Sequence, residues 1–255
     1  MTQLTAFTKK ELTEQIRTGR LLILAALFCL FGIMNPAIAK ITPWMMELMS
    51  EQLAESGMIV GQVTVNAMTS WTQFFKNMQI ALVIFLVMFS GILTSEYQKG
   101  TLILILTKGM KRWKILASKA AVVTIFWTLG CLVSCGITYG YNAFFWDNAI
   151  ASHLFFSVFC FYLMGLWLIT VMMSVSVCLM SSSAVVLGTG GIFAVVYLLG
   201  LLPHLKAYLP PFLMESYPLL IGTSKPEEYL TAAAITLIWS VLNLMLSVII
   251  FNRRA

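Results

Sequence analysis

The chain has 255 residues, of which 60% are hydrophobic and only 10% charged, and it carries a formal net charge of +6. Soluble domains hold about 25% charged residues, so lipid rather than water must solvate most of this surface, and a mean hydropathy of +0.90 agrees. A soluble enzyme is excluded on that ground. Nucleic acid is excluded as a partner because no aromatic-interleaved basic groove is present and the basic excess suits anionic lipid, at roughly 1 kcal/mol per residue near the surface.

A helix crossing hydrocarbon needs roughly 20 mostly apolar residues. Six runs qualify: 21–39, 78–95, 120–141, 154–180, 184–202 and 229–251, none with Asp, Glu, Lys, Arg or His. Strands that cross lipid alternate polar and apolar residues over about ten positions; these runs are longer and continuous, which favours helices. The expected fold is an all-α integral membrane protein, one domain over 1–255 with six spans.

In chain order, residues 1–20 hold good helix formers and no proline. Leu4, Phe7, Leu12 and Ile16 share one broad face, with Lys9, Lys10 and Arg17 opposite, although Glu11 intrudes. That pattern suits a helix lying in the membrane interface. The first apolar run is closer to span length than to the 7–15 residues of a signal core, so it reads as a span and not as a cleaved leader, despite the small residues around Ala37 and Ala39. Pro36 removes a backbone donor and is expected to kink or fray its outer end. Residues 42–57 read as a short amphipathic helix, opened by Thr42 or Pro43 and closed by Gly57. Trp44 and Trp71 suit an outer aromatic belt.

The stretch 95–119, SEYQKGTLILILTKGMKRWKILASK, is the exception in an oily chain. It holds six of the sixteen Lys and Arg residues. Farther on, the serines of 181–183 leave so short a connection that spans 4 and 5 form an antiparallel hairpin. Gly188, Gly190 and Gly191 in span 5, and Gly136 and Gly140 in span 3, suit close helix packing. Residues 203–228 contain prolines 203, 210, 211 and 218 yet are too apolar for a free loop, so short re-entrant helical pieces are expected before the last span. The five cysteines, Cys29, Cys131, Cys135, Cys160 and Cys178, all fall in spans; they read as small buried hydrophobes and not as a disulfide framework or metal site.

Orientation follows the excess of Lys and Arg in cytosolic loops. With the N-terminus inside, twelve basic and three acidic residues face the cytosol, and four basic and seven acidic residues face out. Both termini are then cytosolic.

The chemistry that is missing narrows the function. No G-x-x-x-x-G-K-[ST], H-E-x-x-H or G-x-S-x-G is present, and the two histidines, His153 and His204, have no carboxylate nearby in sequence. Ion-coupled carriers usually place ionisable groups inside the membrane; Asn243 and scattered Ser and Thr are the polar groups identified in these spans. The chain is therefore expected not to be an enzyme, to carry no metal or cofactor, and to draw any energy for transport from another polypeptide docked on the cytosolic side. Residues 95–119 suit that docking: Glu96 follows span 2 directly, Gly100 and Thr101 allow a turn and cap, and Leu102 to Leu106 offer apolar area worth roughly 1.5–3 kcal/mol per fully buried side chain. Lys108, Lys111, Arg112, Trp113 and Lys114 read as a membrane-surface anchor.

Three stretches, 7–24, 31–49 and most specifically 95–119, together with the six-span layout, resemble the type-2 ABC transporter permeases, the six-span single-subunit kind of bacteria. The resemblance implies an interfacial N-terminal helix and a coupling helix from Glu96 to about Thr107 that sits in a groove of an ATP-binding subunit. Glu96 matches the family's acidic residue there, and Glu96, Tyr97, Gly100, Thr101, Leu102, Leu104 and Leu106 are the candidate contacts. It also implies outer re-entrant helices, a second permease copy (homodimer or paralogue), ATP and Mg held by the partner subunit, and a multi-pass place in the bacterial inner membrane. A path would run along spans 1, 2 and 5, with Phe28, Phe31, Met34, Phe85 and Met88 as candidate lining for an amphipathic or hydrophobic peptide, lipid or drug moving outward. Two other readings stay open on the sequence: a non-transporting scaffold or immunity protein using the same loop, and an ion-coupled secondary carrier.

Overall fold

The computed structural model describes residues 3–54, 65–215 and 217–253, and the described residues are helical with no strand. Helix α1 (Gln3–Arg17) precedes α2 (Arg20–Ala54), α3 (Ala67–Phe89), the short α4 (Gly91–Gln98) and α5 (Thr101–Thr107), α6 (Arg112–Phe145), α7 (Leu154–Cys178), α8 (Ser182–Leu199), three short pieces, and α11 (Pro226–Arg253). The three short pieces are α9 (Pro203–Lys206), a 3-10 segment (Pro210–Met214) and α10 (Tyr217–Leu220). Among the described residues, six helices are long and apolar enough to cross a membrane, α3 and α4 together forming one of them. The N- and C-terminal helices reach the same end of the bundle, where Arg112 Nη1 donates to Phe251 O at 2.7 Å. This is the basic end of the bundle.

α2, α3 and α6 form one packed group; α7 lies between it and α11, and α8 sits at the edge against α7. Aromatic rings fill the middle. Trp127 lies 6.1 Å from Phe28, 5.3 Å from Phe85 and 6.4 Å from Phe161, centroid to centroid. Two glycines admit these rings: a Cβ at Gly130 would overlap Phe28, and one at Gly165 would overlap the Trp127 indole. Without a hydrophobic drive between spans in lipid, this close contact of ring and backbone supplies the association.

Several sequence expectations change. The helix of the first span does not fray after Pro36 or stop near Ala39, nor does Pro43 open a new helix; α2 runs on through both prolines to Ala54. The physical reason is visible at Gly32. Its carbonyl loses its i+4 donor because Pro36 has no N–H, and Thr138 Oγ1 on α6 donates to it instead at 3.1 Å. The hydroxyl is itself held by Asn35 Nδ2 at 3.0 Å, and Asn77 Nδ2 donates to Asn35 Oδ1 at 2.7 Å. The spans therefore contain a buried amide and hydroxyl network beyond Asn243. The closing role of Gly57 lies outside the described residues.

Span 2 begins earlier than residue 78, at Ala67, because Asn66 caps it: its Oδ1 accepts from Met68 N and Thr69 N. Trp71 is not in a lipid belt but fully buried, donating to Asn148 Oδ1 at 3.0 Å, whereas Trp44 is exposed. Of the glycines expected in helix contacts, Gly188 is closely approached by Val175, while a Cβ at Gly136, Gly140, Gly190 or Gly191 would meet nothing within 4 Å in this protomer.

Candidate functional site

At the basic end the chain between spans 2 and 3 is built as a jointed arm. α3 breaks at Ser90, whose N–H still reaches Leu86 O at 2.8 Å and whose Oγ donates to Val87 O. α4 continues for eight residues. Gly100 then turns the chain with φ +68°, in the left-handed region that glycine enters without strain. After α5, Gly109 with φ +80° turns it again, and Lys111 in extended geometry starts α6.

α5 has two faces. Leu102 is buried, and Ile105 and Leu106 pack against the core. Ile103 and Leu104 face away, 66% and 63% exposed. Lys108 and Lys111 flank them in the open. Among the candidate docking residues, then, only Leu104 presents a largely free apolar side chain; Leu102 belongs to the protomer's own packing, Leu106 is half-buried, and Ile103 joins the outer face. The spacing explains this: 102, 105 and 106 share one side of a helix, and 103 and 104 the other.

Glu96 and Tyr97 also turn inward. Glu96 is buried, with Oε1 3.0 Å from Lys119 Nζ and 3.7 Å from Lys10 Nζ. Lys119 Nζ lies 2.8 Å from Glu11 Oε2, and Lys10 bridges Glu11 and Glu14 at 2.9 and 2.7 Å. Five ionisable groups from α1, α4 and α6 thus form one cluster. Partial burial opposes the charge on Lys10, but its hydrogen bonds to Glu14 and Glu11 outweigh it and hold the ammonium well above the ordinary lysine range. The Lys10 hydrogen bond holds the Glu14 carboxyl below its usual value. The buried charges of Glu11, Glu96 and Lys119 are kept by this pairing, as charges away from water must be.

The cluster also corrects the reading of α1. Its inward face is Phe7, Glu11 and Gln15, so the intruding glutamate lies at the centre of the contact, and Ile16 is exposed. Lys119 was missed as a site because it looked like the last loop lysine before span 3. The signal was present: a single lysine between small residues, in register with the apolar face of a helix. The anchor group divides as well. Arg112 fastens the end of α11, and Lys114 Nζ donates to Gln3 Oε1 at 2.8 Å, while Lys108, Lys111 and Trp113 are exposed.

The candidate path residues fall elsewhere than on an open wall. Phe28, Phe31 and Phe85 are closed into the aromatic core around Trp127, and Met34 and Met88 pack half-buried against it. An apolar cavity of about 240 Å³ lies instead between α3, α7 and α8, lined by residues that include Leu82, Leu86, Met172, Thr189 and Phe193. Thr189 Oγ1 is buried there with no hydrogen-bond partner. A cavity of this size and lining favours apolar occupants over water, and the mobile thioethers of Met164, Met172 and Met214 in its wall adapt to shape.

The family profile described as "ABC-2 family transporter protein" matches residues 5–211. No curated relative matches the chain. The match covers most of the sequence, including the first five spans and the whole jointed arm, and it agrees with six apolar helices. The chain belongs to the ABC-2 family of transporter proteins, as a multi-pass membrane permease component.

Proposed function

We propose that this chain is the permease subunit of an ABC exporter, one transmembrane domain over 1–255, powered by a separate ATP-binding subunit that holds ATP and Mg and docks on α5. The observation that carries the reading is the exposed pair Ile103 and Leu104 on a short helix fixed between two glycine turns and flanked by Lys108 and Lys111. Burying two such side chains is worth roughly 1.5–3 kcal/mol each, and the lysines favour an acidic rim on the partner. The basic end is then cytosolic, with both termini there, and the membrane is the bacterial inner membrane. The cavity between α3, α7 and α8 supports an amphipathic or hydrophobic cargo, with a second permease copy completing the path beside span 5.

The test is co-purification from native membranes. The native chain brings down a nucleotide-binding subunit; a chain with Ile103→Asp and Leu104→Asp, still folded by its thermal transition, does not. Recovery of the same subunit by the Asp variant places the docking surface elsewhere, and the absence of any nucleotide-binding subunit from the native sample overturns the permease reading.

A further inference from the structure

α8 is the least enclosed of the six long helices, with 11% of its most apolar window buried inside the protomer. Its buried residues are Val185 and Thr189. Besides its hairpin with α7 and its packing against α3 and the 3-10 segment, it is fastened by side-chain hydrogen bonds to α4. The Thr94 and Ser182 hydroxyls lie 3.1 Å apart. Gln98 Nε2 donates to Met180 O at 3.0 Å. A Cβ built on Gly91 would stand 3.0 Å from Ser182 Oγ. Gly91, Thr94 and Gln98 occupy one edge of α4 at helical spacing, and Thr94 is wholly buried. The far side of the same short helix carries Glu96 and its ion pairs to α1 and α6.

The position of this contact matters. Val186 on α8 lines the apolar cavity one helical turn after Ser182, and Leu86 and Val87 on α3 line it four to five residues before Gly91. The joint therefore adjoins the α8 wall of the cavity, one turn before Val186. It also lies on α4, which links α5 to span 2 through the break at Ser90.

Resting on the docking role of α5 above, we infer that Thr94, Gln98 and Ser182 are positioning residues that join α4 to the inner end of span 5, so that a displacement of the arm is delivered to span 5 and changes the width of the cavity. The joint moves as a unit. It does not open during the cycle, because two hydrogen bonds hold α4 at once to the Met180 carbonyl and to the Ser182 hydroxyl.

Hydrogen exchange followed by mass spectrometry tests this on the full complex from native membranes, comparing the nucleotide-free state with ATP plus vanadate. In the native complex, nucleotide changes exchange in α4 and α5 and in residues 182–193 by at least threefold. In the variant carrying Thr94→Val, Gln98→Leu and Ser182→Ala, the α4 and α5 response remains and the response of 182–193 is lost. A second variant replaces the hydrogen bonds by a covalent link. With the five native cysteines changed to alanine, Gly91→Cys and Ser182→Cys place two Cβ atoms about 3.9 Å apart, within the range a disulfide spans. Oxidised, this variant keeps the response of 182–193; its loss on oxidation and return on reduction would show that the joint must open, and overturns the inference. An unchanged span 5 response in the triple variant also overturns it, since the drive would then reach span 5 through the hairpin with span 4. A native complex in which no segment responds to nucleotide fails differently: it removes the permease reading itself, and the inference with it.

Discussion

Lys119 Nζ and Glu11 Oε2 stand 2.8 Å apart across 108 residues of sequence, both side chains almost wholly buried. The pair ties α1 to α6, and Glu96 brings in α4 at 3.0 Å from the same ammonium. Removing one member of such a group leaves a buried charge unpaired, which costs about 3–5 kcal/mol. Lys119→Met should therefore lower the thermal transition in detergent sharply. Adding Glu11→Gln should return part of the loss, because the stranded carboxylate goes with it. A Lys119→Met protein as stable as the native chain would mean that the cluster is hydrated and weak.

The two faces of α5 separate docking from folding. Leu102 is 5% exposed, and Leu→Ala at a buried site costs about 2–5 kcal/mol. Leu102→Ala should lower the melting temperature while the folded fraction still retains the ATP-binding partner at low temperature. Leu104→Ala should do the reverse: a melting temperature near native and weaker partner retention in co-purification. Identical behaviour of the two variants would deny α5 a docking face.

The layout of this bundle was legible because spans announce themselves by length and composition. Six apolar runs give six long helices, the serines of 181–183 give the α7–α8 hairpin, and Gly100 gives the turn into α5. The prolines misled. A proline in isolation ends a helix, but at Pro36 the freed carbonyl at Gly32 is met by Thr138, more than 100 positions away, and no local pattern reports that. The same limit applied to charge. Glu11 and Lys119 look like flaws in an interfacial stripe and a loop, and only their meeting in space makes them a site. Of the candidate path residues, Phe28 and Phe85 lie against Trp127 in the core, where Gly130 leaves room for the Phe28 ring and Gly165 for the indole, and Met34 and Met88 pack half-buried beside it.

The Pro36 site gives a test by rescue. Thr138→Val removes the donor to Gly32 O and leaves a buried carbonyl unmet, an effect of about 1–3 kcal/mol. Pro36→Ala restores an N–H at the position that ordinarily reaches this carbonyl. In a double-mutant cycle read by thermal unfolding, Thr138→Val should therefore be less damaging in the Pro36→Ala background. Additive effects would show that the hydroxyl serves only Asn35.

The cavity and the core predict opposite outcomes for glycine substitution. A Cβ at Gly190 meets nothing within 4 Å, and Gly190 lines the cavity. Gly190→Leu should leave the melting temperature near native while filling part of the space and reducing stimulation of the partner's ATPase by apolar compounds. Gly165→Ala should instead depress the melting temperature, since its Cβ falls on Trp127, a clash of the kind that costs about 1–3 kcal/mol. A stable Gly190→Leu protein with unaltered ATPase response would remove this cavity from the path.

Acid should loosen the exposed edge of the ion cluster. The Lys10 hydrogen bond lowers the Glu14 carboxyl from its ordinary value of 4.5, so this pair's contribution is fully present above pH 4.5 and is lost as pH falls through the lower folded-state value. At the other extreme, Lys10 is raised above 10.5; its contribution is complete below that value and disappears only in stronger alkali. Between those limits the pair adds a constant amount, about 0.3–0.5 kcal/mol for an exposed i,i+4 contact. The melting temperature of Glu14→Gln should accordingly lie a small, fixed distance below native from pH 5 to pH 10, and the two curves should converge below pH 4.5. Curves that stay parallel into stronger acid would show that Glu14 draws nothing from its charge, and that α1 is held by its other contacts.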